Sequence, residues 1–227
     1  MAIHRPASPF WRFCYENSLL LVVTVLVVLT MGGQFVTGWH DYNDELKDMG
    51  LTQLSAGQYF HSGHFLEATF ENWESEFLQM GLYVLLTIWL RQKGSSESKK
   101  LYEDEEVDAE PDPGKKDAPW PVRHGGWVLA LYKNSLSIAF ILCFLLSVWL
   151  HAKGGGEVYS IEQVHDGQPA VTTLEYMGTS RFWFESLQNW QSEFLSIVSI
   201  VGLSIFLRQK GSPESKPVDA AYSETGG

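Results

Sequence analysis

Two glutamates in a repeated motif are the residues of this chain whose type and setting could do chemistry. The motif reads Asn-Trp-Glu-Ser-Glu-Phe-Leu at residues 72–78 and Asn-Trp-Gln-Ser-Glu-Phe-Leu at residues 189–195, so Glu76 and Glu193 are equivalent. An apolar run follows each glutamate, and a charged group within hydrocarbon costs about 2.5–3.5 kcal/mol unless it is paired, hydrated or protonated. Two carboxylates at the same depth would titrate as a coupled pair. The functional interpretation is a site that handles protons or cations.

Further polar side chains extend each glutamate into a stripe, because residues three or four apart lie on one face of a helix. The predicted intramembrane polar site comprises Asn72, Glu76, Gln79 and Tyr83 in the first copy and Asn189, Glu193 and Ser196 in the second. A second interpretation is interfacial, with Trp73 and Trp190 anchored at the headgroups. The glutamates would then belong to a polar helix start that the helix dipole favours. Both interpretations stay open on the sequence alone.

A weaker pattern near the first motif has the spacing of metal ligands. His64 and Glu67 are three residues apart and Glu71 lies four residues further on, which can put ligands on one helix face. The equivalent positions in the second copy carry Arg181 and Phe184, so the pattern is not repeated. We therefore predict neither a bound metal nor a cofactor.

Motifs for other kinds of chemistry are absent from the sequence. It contains no nucleophile elbow, phosphate-binding glycine loop, dinucleotide fingerprint or kinase signature, so we predict a protein that is not an enzyme and has no catalytic residues. The net charge is −11 and no basic cluster carries interleaved aromatics, which argues against a nucleic-acid partner. Cys14 and Cys143 occupy non-equivalent positions, and neither a disulfide nor a metal-ligand pattern is expected from them.

Four largely apolar blocks are the elements that would position these residues. They cover residues 17–39, 71–91, 127–150 and 188–208. About 20 mostly apolar residues cross a hydrocarbon core of ~30 Å, and the first and third blocks meet that requirement without amphipathic periodicity. The second and fourth blocks contain shorter apolar runs, at 77–90 and 194–207. Their helices would have to extend N-terminally into polar sequence to cross.

Basic residues cluster on one side of the four blocks. They are Arg5, Arg12, Arg91, Lys93, Lys99, Lys100, Lys115, Lys116, Arg123, Arg208, Lys210 and Lys216. The other side is acidic, with Asp41, Asp44, Glu45 and Asp48 after the first block. The positive-inside rule therefore predicts a multi-pass protein of a bacterial inner membrane with both termini in the cytoplasm. The predicted interfacial anchors are Trp73, Trp190, Arg91, Lys93, Arg208 and Lys210.

The two halves of the chain align without a gap at one offset, 189 − 72 = 117 residues. Each half contains two blocks, so both halves enter and leave the membrane on the same side and form parallel repeats. The predicted fold is an all-α integral membrane four-helix bundle made of two tandem repeats of two transmembrane helices. The first repeat covers residues 1–101 and the second 120–216, while an acidic linker at 102–119 and a tail at 217–227 are expected to be disordered.

The motifs also carry a resemblance. The segment Ser-Gly-His-Phe-Leu-Glu-Ala-Thr-Phe-Glu-Asn-Trp-Glu-Ser-Glu-Phe-Leu-Gln-Met at residues 62–80, together with Arg-Gln-Lys-Gly-Ser after the second and fourth blocks, resembles a family of small bacterial inner-membrane proteins described as a domain of unknown function. The resemblance covers most of the chain outside the linker and tail. It implies a membrane protein with this duplicated layout, and no activity or catalytic residue.

These observations lead to two functional hypotheses. The first is a non-enzymatic accessory or structural membrane component, whose partners are the lipid bilayer and either other membrane proteins or further copies of the chain. The alternative is a small transporter, channel or proton-coupled device that uses Glu76 and Glu193.

Overall fold

The computed structural model describes residues 8–226, and over that range all regular secondary structure is helical, with no strand. The predicted all-α class is confirmed. Arg5 of the predicted basic flank and the last residue of the tail, Gly227, lie outside the described residues. The nine α-helices are α1 Pro9–Glu16, α2 Ser18–Asp48, α3 Ala56–Phe60, α4 Gly63–Trp89, α5 Trp120–His124, α6 Gly126–Lys133, α7 Ser135–His165, α8 Thr173–Met177 and α9 Ser180–Phe206, with a 3-10 turn at Glu106–Asp108.

The helix bounds recur at the 117-residue offset found in the sequence. The helices α1, α2, α3 and α4 correspond residue for residue to α6, α7, α8 and α9. The same local signals set them in both halves, because Ser55 and Thr172 each close a capping box at the start of α3 and α8. Gly50 and Gly167 end the turns after α2 and α7 with φ of 71° and 75°, a conformation that glycine adopts without strain.

Two of the described helices are long and apolar enough to cross a membrane. They are α2, with a mean hydropathy of 2.4, and α7, with 2.1. None of the most apolar stretch of α2 is buried against protein, and 17% of that of α7 is. The apolar runs of α4 and α9 are shorter because polar and acidic residues occupy the first halves of both helices.

Helix α4 is the centre of the packed part of the molecule and contacts α2, α7 and α9. The approach of α7 is close because its glycines carry no side chain. A Cβ atom on Gly154 would lie 2.5 Å from the backbone nitrogen of Glu67 and 2.5 Å from the carbonyl oxygen of Gly63. Small residues at such crossings allow two helix backbones to come together.

The helices α2 and α7 end at the same side of the molecule at which α4 and α9 begin, and we name this side the acidic end. Two small apolar cores lie there. One core contains Tyr42, Leu46 and Tyr59, and the other contains Ala152, Tyr176 and Phe182. Tyr59 and Tyr176 are equivalent residues of the short helices α3 and α8. Each tyrosine holds its short helix against the long helices.

At the opposite end, where α4 and α9 finish, the tail lies against the loop after α4. The backbone nitrogen of Gly226 donates to the carbonyl oxygen of Ser95 at 3.0 Å, and the ammonium of the buried Lys216 donates to the carbonyl oxygen of Glu224 at 2.7 Å. The linker includes the 3-10 turn and an exposed ion pair between Glu110 and Lys133. The expectation that both segments are disordered in solution stays a prediction.

Candidate functional site

The predicted polar stripe is divided between several environments. Gln79 is buried, and its amide donates to the backbone oxygen of Glu193 at 2.8 Å and to the hydroxyl of Ser196. This contact joins α4 to α9 and brings together three of the predicted residues. Glu76 is exposed, whereas Glu193 is half-buried. The role predicted for the two glutamates stays a prediction.

The other members of the stripe hydrogen-bond elsewhere. The Asn72 amide donates to a carbonyl of its own helix, and the Asn189 amide donates to the Glu71 carboxylate at 2.5 Å. The Tyr83 hydroxyl donates to Glu97 at 2.9 Å near the opposite end of α4. The stripe therefore does not form a single site.

The predicted interfacial anchors differ in their surroundings. Trp73 is partly exposed, while the indole nitrogen of Trp190 donates to a Glu74 carboxylate oxygen at 3.2 Å. Arg91 and Arg208 each donate to carbonyl oxygens at the ends of their own helices. Lys93 and Lys210 are exposed.

A buried ionisable cluster between α4, α7 and α9 is the most concentrated chemistry in the described part of the chain. At its centre His151 and Glu74 are both fully buried, and the Nδ1 atom of His151 lies 3.1 Å from a Glu74 oxygen. The other Glu74 oxygen accepts from Trp190. Every polar atom of Glu74 therefore has a partner, and the carboxylate fixes the orientation of the imidazole.

The second ring nitrogen of His151 faces two further carboxylates. Nε2 lies 3.5 Å from an oxygen of Glu185, and no hydrogen bond to it forms among the described residues. The Tyr176 hydroxyl donates to Glu185, and its oxygen lies 3.3 Å from a Glu67 oxygen. Ligand atoms of Glu67, His151 and Glu185 all lie within 4.8 Å of one another, an arrangement that could hold a metal ion.

The cluster adjoins an acidic cavity of ≈ 520 Å³ at the acidic end. Arg181 provides a cation in its wall, with Nε 2.9 Å from Glu185 and a second contact to Glu162. The carboxylates that line the cavity are Asp41, Asp44, Glu45, Asp48, Glu67, Glu71, Glu162 and Glu185. The excess of carboxylates makes this cavity attractive to cations.

The two equivalent tyrosines of α3 and α8 both have raised pKa values. Burial raises the pKa of Tyr59 to about 12, with a smaller effect of the Asp41 charge. Burial, followed by the hydrogen bond to Glu185, raises the pKa of Tyr176 further. The Tyr59 hydroxyl lies 3.0 Å from Nδ1 of His64, so the histidine with metal-ligand spacing contacts a tyrosine in the first copy.

A family model described as Domain of unknown function (DUF6766) matches residues 10–227. The chain belongs to this family. The match includes the linker and the tail, which the resemblance seen in the motifs had left out. No match was found among curated proteins or among solved structures.

In this member of the DUF6766 family, sequence reasoning missed the cluster because its members come from different helices. The sequence does contain one indication of the cluster, because its members lie at positions where the two repeats differ in charge. Glu74 and His151 correspond at the 117-residue offset to Gln191 and Gln34. Glu67 likewise corresponds to Phe184, and Glu185 to Ala68. These differences are scattered along the sequence, and the fold brings them together at one interface.

Proposed function

We propose that the protein is a non-enzymatic, multi-pass component of a bacterial inner membrane, in which α2, α4, α7 and α9 cross the bilayer as a four-helix assembly of two repeats. One observation carries the proposal, namely the exposed apolar surface of α2. Large side chains on all of its faces are exposed between Leu19 and Leu29, with Leu19 itself at 78%. Soluble monomers rarely expose a contiguous apolar patch larger than a few hundred Å², so lipid is the solvent that fits this surface.

The distribution of charge supports the proposed orientation. The acidic cavity lies at one end of the helices, whereas Arg91, Lys93, Arg208 and Lys210 follow the last turns of α4 and α9 at the other. The positive-inside rule assigns the basic end to the cytoplasm. Helices of 27 residues are about 40 Å long at ~1.5 Å per residue, so α4 and α9 are long enough to cross.

An accessory or structural role fits the site better than catalysis or transport. The buried cluster ties α4, α7 and α9 together, and none of its residues has the arrangement of an activated nucleophile. The transport device that uses Glu76 and Glu193 is the second hypothesis, and the contact of Gln79 with Glu193 and Ser196 is the observation in its favour.

Cysteine labelling tests the topology. In a background with Cys14→Ser and Cys143→Ser, single cysteines replace the exposed residues Asp48, Glu103, Gln168 and Asp219. A membrane-impermeant maleimide should label Asp48→Cys and Gln168→Cys in spheroplasts, and should label Glu103→Cys and Asp219→Cys only after lysis. Labelling of Asp48→Cys and Glu103→Cys from the same side would show that α4 does not cross, and recovery of the protein without detergent would contradict the whole proposal.

A further inference from the structure

We propose that Glu67, His151 and Glu185 bind one divalent transition-metal ion beside the acidic cavity. The ligands are Nε2 of His151 from α7, a carboxylate oxygen of Glu67 from α4 and one of Glu185 from α9. This site goes beyond the membrane role proposed above, and it does not depend on which side of the membrane the cavity faces.

The orientation of His151 is the first argument. Glu74 holds the Nδ1 side of the ring at 3.1 Å, which leaves Nε2 as the free nitrogen. Metal-ligating histidines almost always donate their other ring N–H to a carboxylate or a carbonyl in this way. Glu74 is in turn held by the Trp190 indole, so the imidazole has the support that a ligand needs.

The surroundings of Nε2 are the second argument. His151 is fully buried, and its Nε2 makes no hydrogen bond among the described residues, although buried polar atoms normally have a partner. The nearest charged atom is a Glu185 oxygen at 3.5 Å. Two ligands at ~2.1 Å from a tetrahedral ion lie about 3.4 Å apart. The separation suits an intervening ion better than a direct hydrogen bond, whose usual length is ~2.9 Å.

Neighbouring side chains hold the carboxylates of both glutamates in place. Arg181 donates to Oε1 of Glu185 at 2.9 Å, so Oε2 is the oxygen that faces His151. The Tyr176 hydroxyl lies within hydrogen-bond distance of Oε2 of Glu185 and of Oε1 of Glu67, so it positions the oxygens that would bind the ion. Gly155 leaves room for this arrangement, because a Cβ there would lie 2.6 Å from the tyrosine oxygen and 2.7 Å from Glu67.

The number of carboxylates around His151 also favours a bound cation. Three carboxylates, those of Glu67, Glu74 and Glu185, surround the imidazole, and Arg181 is the cation paired with Glu185. A divalent ion would offset the excess negative charge, and the acidic cavity provides a route by which cations concentrate there. One imidazole with two carboxylates suits Zn²⁺, Mn²⁺ or Fe²⁺, whereas Ca²⁺ and Mg²⁺ prefer all-oxygen sites.

Metal binding by the full chain in detergent tests the proposal. The protein is purified with a tag that contains no histidine, stripped with a chelator and titrated with Zn²⁺, and Co²⁺ serves as a spectroscopic probe of imidazole ligation. We expect one ion per chain, with binding that is retained in excess Ca²⁺ and Mg²⁺. The substitutions Glu67→Gln, His151→Gln and Glu185→Gln should each weaken binding at least 100-fold. Glu74→Gln should weaken it 10- to 100-fold, because Glu74 positions the histidine.

The matched control is His64→Gln, since His64 lines the same cavity but lies outside the ligand set and should leave the affinity unchanged. Circular dichroism establishes that each variant is folded, and Zn²⁺ should raise the thermal midpoint of the wild type but not that of the ligand variants. If His151→Gln does not fold, the affinity of Glu67→Gln for Zn²⁺ and the Co²⁺ spectrum of the wild type test the site instead. Absence of stoichiometric binding, displacement by Ca²⁺ or Mg²⁺, or unchanged affinity in the ligand variants would overturn the site while leaving the membrane topology untouched.

Discussion

At the scale of single residues, the pair of Glu74 and His151 joins two helices through a buried contact. Both side chains are fully buried, and they lie on α4 and α7 respectively. Removing one partner of a buried hydrogen-bonded pair leaves the other without a partner, which destabilises a protein by about 1–3 kcal/mol, and by more where the remaining group is charged. Replacing both partners with neutral groups of similar shape avoids that penalty. The chain itself has glutamine at the two counterpart positions, Gln34 and Gln191.

We predict that Glu74→Gln and His151→Gln each lower the free energy of unfolding by about 1–3 kcal/mol, whereas the double variant recovers at least half of the summed loss. Unfolding by sodium dodecyl sulfate, followed by circular dichroism in the presence of a chelator, measures these differences without any contribution from metal. Strictly additive losses would show that the two side chains are not coupled.

The residues of this site could be found only in part from the sequence. Spacing along one helix directed attention to Glu76 and Glu193, which lie next to apolar runs. It could not identify Glu74 or His151, because their hydrogen bond joins residues 77 positions apart and depends on how closely α7 approaches α4. The spacing of Glu67 from His64 predicts a shared helix face, whereas in the fold Glu67 contacts Tyr176 of α8.

At the scale of elements, the crossing of α4 and α7 depends on glycines of α7. Gly154 and Gly156 are both buried and lie two residues apart on that helix, but they meet different neighbours. A Cβ on Gly154 would lie 2.5 Å from backbone atoms of α4, whereas a Cβ on Gly156 would meet nothing closer than 3.5 Å. The first position is at the contact between the two backbones, and the second has ordinary van der Waals space.

We therefore predict that Gly154→Ala lowers the free energy of unfolding by about 1–3 kcal/mol through overpacking. Gly156→Ala is the matched control, since alanine has the same advantage in helix propensity at both positions, and it should be neutral or stabilising. Thermal unfolding in detergent compares them. Equal effects of the two substitutions would contradict the close crossing.

Much of the secondary structure was predictable because helices depend on local sequence. The apolar blocks gave the centres of α2, α4, α7 and α9. The first residues of these helices were harder to predict, because α4 and α9 begin at Gly63 and Ser180, well before the apolar runs. Ser62 and Thr179 cap these starts by accepting from the backbone nitrogens of Phe65 and Phe182, a signal that hydrophobicity does not contain.

At the scale of the whole molecule, the two halves are joined mainly by the packing of α4 on α7 and α9. The linker between the halves lies on the surface, where its ion pair of Lys133 with Glu110 is exposed. Exposed ion pairs contribute little stability. The covalent connection should therefore be dispensable once both halves are in the same membrane.

We predict that residues 1–110 and 111–227, expressed together as separate chains, co-purify from membranes in detergent. The matched control carries Gly154→Ala in the second chain and should reduce the recovered complex several-fold, because it disturbs the helix crossing. Halves that never associate would show that the linker, rather than the helix interface, holds the molecule together.

The sequence distance between the partners of the buried cluster has a consequence for biosynthesis in the proposed topology. The ribosome makes α4 before α7, and the 77 residues that separate Glu74 from His151 take about 4–15 s at ~5–20 residues per second. During that interval the Glu74 carboxylate of the first hairpin lacks the histidine that pairs with it in the complete chain. Slower synthesis between α4 and α7 would lengthen the time that this carboxylate spends without its partner.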